Sequence, residues 1–110
     1  MAQTIENMRI KSTHLGYEDH GIFTYFLTLE GDGVGINFGG YSLDSYDTEF
    51  KARFGTSHGM QRIIDVLKTL EVEKWESLPG TYVRAKFNGM VLVTIGHLIK
   101  DKWVDRKSTR

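Results

Sequence analysis

Five of the chain's 12 glycines, Gly31, Gly33, Gly35, Gly39 and Gly40, fall within ten residues, between the apolar run Ile22 to Leu29 and the segment Tyr41-Ser42-Leu43-Asp44. Glycine marks backbone that is sharply turned or closely approached. Glu30 to Tyr41 is therefore either an elaborate hairpin or a surface at which another molecule touches main chain. Two phosphate-binding patterns fail here. A P-loop needs Gly-Lys-Ser/Thr, which is absent, and Gly-x-Gly-x-x-Gly read from Gly33 needs glycine at position 38, where Phe38 stands. Turn and bulge glycines in a twisted hairpin remain one reading, with Gly35 as a bulge or close approach. The other is ligand contact at Gly39, Gly40 and Tyr41, where bare N–H groups beside a ring suit a nucleotide or sugar.

The flanking segments supply the elements that such a hairpin needs. Met8 to Thr13 alternates apolar and polar, as a half-buried strand does. Ile22 to Leu29 is β-branched and aromatic without a breaker, apolar on both faces, and reads as the central strand. Val34 to Phe38 returns beside it through Glu30 to Gly33. Ser42 to Phe54 has no period and predicts a loop or irregular crossover. Met60, Ile63, Ile64, Leu67 and Leu70 then recur at helical spacing, with Thr56 or Ser57 as cap and Gln61, Arg62, Asp65 and Lys68 toward water. Glu73 to Ser77 adds a further helical turn, with Trp75 at the core edge, before Leu78-Pro79-Gly80 stops it.

Tyr82 to Phe87 and Met90 to Ile95 flank Asn88-Gly89, a type I′ hairpin signal. A two-residue loop there pairs Phe87 with Met90, Ala85 with Leu92 and Val83 with Thr94 on a core face, leaving Arg84 and Lys86 outside opposite Val93 and Val91. The outer face is basic and partly apolar, suited to guarding a sheet edge, to a subunit contact, or to single-stranded nucleic acid. Together these elements predict an α+β single domain over residues 1–110. It has an antiparallel sheet of about five strands, two hairpins plus an N-terminal strand, on one main amphipathic helix, and residues 105–110 form a fraying tail.

Composition narrows the function classes. The 14 basic residues balance 14 acidic ones, so a coat for nucleic acid or an anionic membrane is not expected. Without cysteine there is no disulfide, thiol nucleophile or thiolate-bound zinc, which suits a reducing cytoplasm. The longest apolar run, Met90 to Ile95, is too short to span a bilayer, and the first six residues lack the regions of a signal peptide.

The residues able to carry chemistry are few. Arg53 and Gly55-Thr56-Ser57-His58-Gly59 lead into the helix, whose free N–H groups and dipole favour an anion that Arg53, His58 and Arg62 would reinforce. The plainer reading is a capped helix. Histidine is the side-chain type ordinarily poised near neutrality, but of His14, His20, His58 and His97 no two share a metal-ligand spacing, so neither metal nor cofactor is expected. Tyr17-Glu18-Asp19-His20 sets carboxylates beside an imidazole, as a general base requires and as polar turns also do. Ser57 beside His58 is not a triad.

Four strings, Gly16-Tyr17-Glu18-Asp19-His20-Gly21-Ile22, Phe38-Gly39-Gly40-Tyr41-Ser42-Leu43-Asp44, Gly55-Thr56-Ser57-His58-Gly59-Met60 and Gly96-His97-Leu98-Ile99-Lys100-Asp101-Lys102-Trp103, resemble a family of small accessory proteins of tailed bacteriophages and prophages. An aromatic residue usually follows that tryptophan, whereas this chain has Val104. One class of such proteins blunts host defence by sequestering cyclic-nucleotide or ADP-ribose-type signals in homo-oligomers. The resemblance implies that role in the host cytoplasm. It assigns Gly39, Gly40 and Tyr41 to backbone and ring contacts, Arg53, Thr56, Ser57 and Arg62 to phosphate, and Tyr17, His20, His58, His97 and Trp103 to further contacts. The alternatives are a nucleotide hydrolase using His20 or His58, and a protein–protein inhibitor or virion accessory factor without a small-molecule site.

Overall fold

The longest strand is the first, and the rest of the sheet is arranged around it. In the computed structural model, which describes residues 3–18 and 20–104, β1 runs Gln3–Tyr17. Its first half pairs antiparallel with β6 (Tyr82–Asn88), from Gln3 opposite Asn88 to Arg9 opposite Tyr82. Its second half pairs with β2 (Phe23–Gly31), from Arg9 opposite Glu30 to Tyr17 opposite Phe23, with a register shift between Ile10 and Ser12. A strand that changes partner at such a bulge bends sharply. β3 (Val34–Gly39) and β7 (Val91–His97) flank these, giving the order β3-β2-β1-β6-β7. The two outer strands approach each other, so the sheet curls into a partly open barrel. An apolar cavity of about 300 Å³ between Met8, Val34, Ile36, Phe87 and Met90 marks the seam.

The core fills the barrel and the helix plugs one end. Tyr25, Leu27 and Leu29 alternate inward from β2 to meet Ile10, Phe38, Val83, Ala85 and Ile95. Helix α1 (Ser57–Leu70) brings Val66 and Leu70, and a 3-10 turn at Trp75–Ser77 lays the Trp75 ring edge-on to Tyr25 with centroids 5.5 Å apart. The Thr56 hydroxyl caps α1 by accepting from the Gly59 N–H at 2.8 Å, and Glu71 ends it in the left-handed conformation.

The α+β architecture, five-stranded sheet and single main helix are those expected; several details differ. The central strand is β1, not β2, because β6 returns from far along the chain to take the other side of β1. Ser42 to Phe54 is no crossover: β4 (Asp44–Asp47) and β5 (Ala52–Gly55) form a second small sheet. Gly35 makes no bulge, since β2 and β3 pair in unbroken register. The turn with two positive-φ residues is Asp32-Gly33 instead (φ 50° and 76°). In the last hairpin only Gly89 has positive φ, the loop is Gly89-Met90, and Asn88 pairs with Val91. A shift between Lys86 and Phe87 then sets Ala85 opposite Ile95 and Arg84 opposite Gly96. The buried stripe of α1 is rotated too. Gly59, Val66, Thr69 and Leu70 are buried while Met60 is 58% exposed, because Gly59 lies directly on the backbone of Leu43.

After β7 the chain folds back on it. His97 donates its N–H to the Lys102 carbonyl (2.8 Å) and Val104 to that of Ile95 (2.9 Å). The tail expected at 105–110 lies outside the described residues. Among those described, no helix is long and apolar enough to cross a membrane.

Candidate functional site

The residues expected to bind a ligand separate into two groups. At the helix start, the Arg62 guanidinium sits 4.4 Å from the centre of the Tyr41 ring, and the Tyr41 carbonyl accepts from the Thr24 hydroxyl at 2.6 Å. Arg53 spends its charge on Asp44, with Nε to Oδ2 at 3.0 Å and Nη2 to Oδ1 at 2.9 Å. Asp44 is buried and also accepts from the Phe23 N–H and the Ser42 hydroxyl. The Arg53 hydrogen bonds above all hold its carboxyl below the usual range, against the opposing effect of burial. Tyr17 packs edge-on to Phe23 at 5.1 Å, which brings it to this end.

Local geometry explains the glycines here. Gly39 and Gly40 have φ of 117° and 87°, and a Cβ on Gly39 would lie 2.5 Å from the Tyr25 carbonyl oxygen. That same oxygen takes the Gly40 N–H at 2.7 Å. The chain therefore uses both positions to close β3 against β2. Thr56 serves as the cap, and Ser57, His58 and His20 are exposed.

His97 and Trp103 belong to the second group, on the outer face of β6 and β7. Trp103 lies on Gly96, where a Cβ would meet its ring at 2.5 Å, and the cations of Arg84 and Lys86 stand 4.7 and 4.3 Å from its centre. Arg84 also donates to the carbonyls of His97 (2.8 Å) and Lys100 (2.7 Å). Lys100 and Lys102 converge on Glu71, whose pKa their hydrogen bonds lower to about 2. The Arg84–Lys86 face is thus half covered by the chain's own tryptophan, a contact that no local pattern contains. Among the described residues, no three His, Cys, Asp or Glu side chains gather into a metal site.

A cleft of about 520 Å³ opens elsewhere, over the outer face of β1, β2 and the β2–β3 turn. Its walls include Arg9, Lys11, Thr28, Glu30 and Tyr82, and its floor is the 31–35 segment with three glycines. The volume is that of ordinary small-molecule sites. Arg9 is ion-paired with Glu30, each about two-fifths exposed. Lys11 is exposed and forms no ion pair or side-chain hydrogen bond among the described residues. Tyr82 is 57% exposed and pairs across from Arg9. The alternation of Met8 to Thr13 is consistent with a solvent side for Arg9 and Lys11, but neither they nor Tyr82 were among the residues expected to bind a ligand. What sequence reading missed is the long-range pairing that sets Tyr82 beside them. Comparison with protein-family models, with curated proteins and with solved structures gives no match to this chain.

Proposed function

We propose that this protein is a non-catalytic binding protein for a small, anionic, nucleotide-like ligand, held in the cleft over β1, β2 and the glycine turn. The observation that carries the reading is the composition of that cleft: a cation at Lys11 with no ion pair among the described residues, the Arg9–Glu30 ion pair on one wall, an exposed ring at Tyr82, and main chain at Gly31, Gly33 and Gly35 beside Asp32. Lys11 supplies charge for phosphate, Tyr82 a stacking surface for a base, and the glycine turn N–H and C=O groups for its edge. Partly open five-stranded barrels of the oligonucleotide- and oligosaccharide-binding type also bind on the outside of their second and third strands, an analogy of architecture alone. The resemblance to phage accessory proteins adds the ligand class: a cyclic-nucleotide or ADP-ribose-type immune signal, sequestered by a homo-oligomer in the host cytoplasm.

Calorimetric titration with cyclic dinucleotides and cyclic ADP-ribose isomers tests this. Lys11→Glu and Tyr82→Ala are each expected to weaken binding tenfold or more, equivalent to about 1.4 kcal/mol. No heat from any ligand at high protein concentration refutes the ligand class. Binding lost in Ser57→Glu but kept in Lys11→Glu moves the site to the helix start. Ligand recovered altered after denaturing the protein makes it a hydrolase.

A further inference from the structure

The direction of each main-chain group in β1 follows from its neighbours' hydrogen bonds. Ile10 donates to the Thr81 carbonyl (2.8 Å) and accepts from the Gly80 N–H (2.7 Å), on the β6 side. At the far end Glu18 donates to Ile22 (3.0 Å), on the β2 side. Within β2, the carbonyls of Phe23 and Tyr25 accept from Leu43 (2.8 Å) and Gly40 (2.7 Å), so they turn away from β1. Their cross-strand partners are Tyr17 and Leu15. In an antiparallel pair, residues opposite each other turn their groups toward one another or both away, alternately along the strand. Ser12, His14 and Gly16 therefore face β2, and Thr13, Leu15 and Tyr17 direct their N–H and C=O groups outward.

Among the described residues, no hydrogen bond reaches those groups. β6 leaves β1 at Tyr82, opposite Arg9, and among the described residues no strand pairs with 11–17 on that side. Natural sheets guard such edges with charge, proline or a bulge. β1 has its bulge and Lys11 at the near end, but residues 13 to 17 carry no charge and no proline. Leu15 and Tyr17, on the same face, are 40% and 68% exposed.

We propose that this edge pairs with the same edge of a second copy of the chain, antiparallel about a two-fold axis at Leu15, so that two barrels share one continuous sheet. A second copy fits because an antiparallel edge is its own complement. A two-fold axis normal to the sheet keeps each residue on its face, so odd-numbered residues meet odd-numbered ones. Centring on Leu15 uses every outward group: Leu15 meets the partner's Leu15, Thr13 meets the partner's Tyr17, and Tyr17 meets the partner's Thr13. On that face the exposed leucine and tyrosine become covered. On the other, His14 meets the partner's Gly16, which has no side chain, and Ser12 meets the partner's Glu18 with Lys11 adjacent. No like charges are directly opposed. The inference is independent of any ligand.

Light scattering at high-micromolar concentration is expected to give twice the 12.6 kDa chain mass. Leu15→Lys, which sets two ammonium groups face to face on the axis, is expected to give the single-chain mass and a cooperative melting transition that no longer depends on protein concentration. Because the chain has no native cysteine, Leu15→Cys provides a second measurement that does not depend on tolerating a charge. Hydrogen-bonded antiparallel partners have Cα atoms about 5.5 Å apart, within disulfide reach, so mild oxidation links Leu15→Cys chains to each other and leaves the exposed Val34→Cys control unlinked. A wild-type monomer overturns the proposal. So does a dimer that persists in Leu15→Lys, and so does Leu15→Cys that fails to cross-link faster than Val34→Cys.

Discussion

Gly59→Ala tests how the helix start is held against the sheet. In an exposed helix interior, replacing glycine with alanine gains about 1 kcal/mol. Here a Cβ would stand 2.0 Å from the Leu43 carbonyl oxygen, 2.6 Å from its carbon and 2.7 Å from its Cα. These are backbone atoms and cannot swing aside. Leu43 is tied on one side by its N–H to the Phe23 carbonyl (2.8 Å) and on the other by its own carbonyl, which accepts from Thr56 (3.3 Å). To reach even a tight 3.0 Å, the helix start must retreat by about 1 Å, which breaks the Thr56 bond. Overpacking costs about 1–3 kcal/mol and the lost hydrogen bond about 1 kcal/mol, which the propensity gain offsets, so the net loss is about 1–3 kcal/mol. In urea, with a slope of about 1–3 kcal/mol per molar, the midpoint falls by about 1 M. Gly55→Ala, at a position with ordinary φ and no atom within 4 Å of the added methyl, is the control and stays within about 0.5 kcal/mol of wild type. A Gly59→Ala protein as stable as wild type, or more so, refutes the contact and the placement of the helix start.

Two further outcomes follow from the site groups. Asp44→Asn is expected to cost about 2 kcal/mol at neutral pH, since a buried carboxylate loses charge-assisted bonds from Arg53. Because the folded carboxyl titrates below its ordinary 3.8, its contribution is present above that pH and is lost as pH falls through the lowered value; a pH series of urea midpoints should show a flatter acid limb in the variant. Trp103→Ala removes the ring that covers Gly96 and takes both Arg84 and Lys86 on its faces or edges. As a half-buried tryptophan it should lower stability by about 2 kcal/mol in thermal melts.

Several elements were legible because their causes are local. Helix α1 announced itself by spacing and by Thr56, the β2 strand by its composition, and the β2–β3 hairpin by glycine. The type of a tight turn was less so: Asn88-Gly89 looked like the two-residue loop, yet only Gly89 takes positive φ and the pairing slides to Asn88–Val91, because the register must also place Ala85 and Ile95 inside the barrel. The β4–β5 hairpin was missed because its strands bury little and so carry no alternation. Of the candidate site, Arg9 and Lys11 could be put on a solvent face by periodicity, while Tyr82 could not be put beside them.

By itself, then, the sequence determined the α+β class and the helix with its cap, since these depend on side chains within a few residues of one another. Tertiary structure alone decided that β1 is central and shared between two hairpins, that Trp103 returns to lie on Gly96, and that residues 13 to 17 keep an open edge. The first and last depend on pairings between segments some 70 or more residues apart, as with Arg9 and Tyr82, and the second on the chain after β7 folding back on that strand; these choices rest on the whole core closing at once rather than on any pattern in the chain.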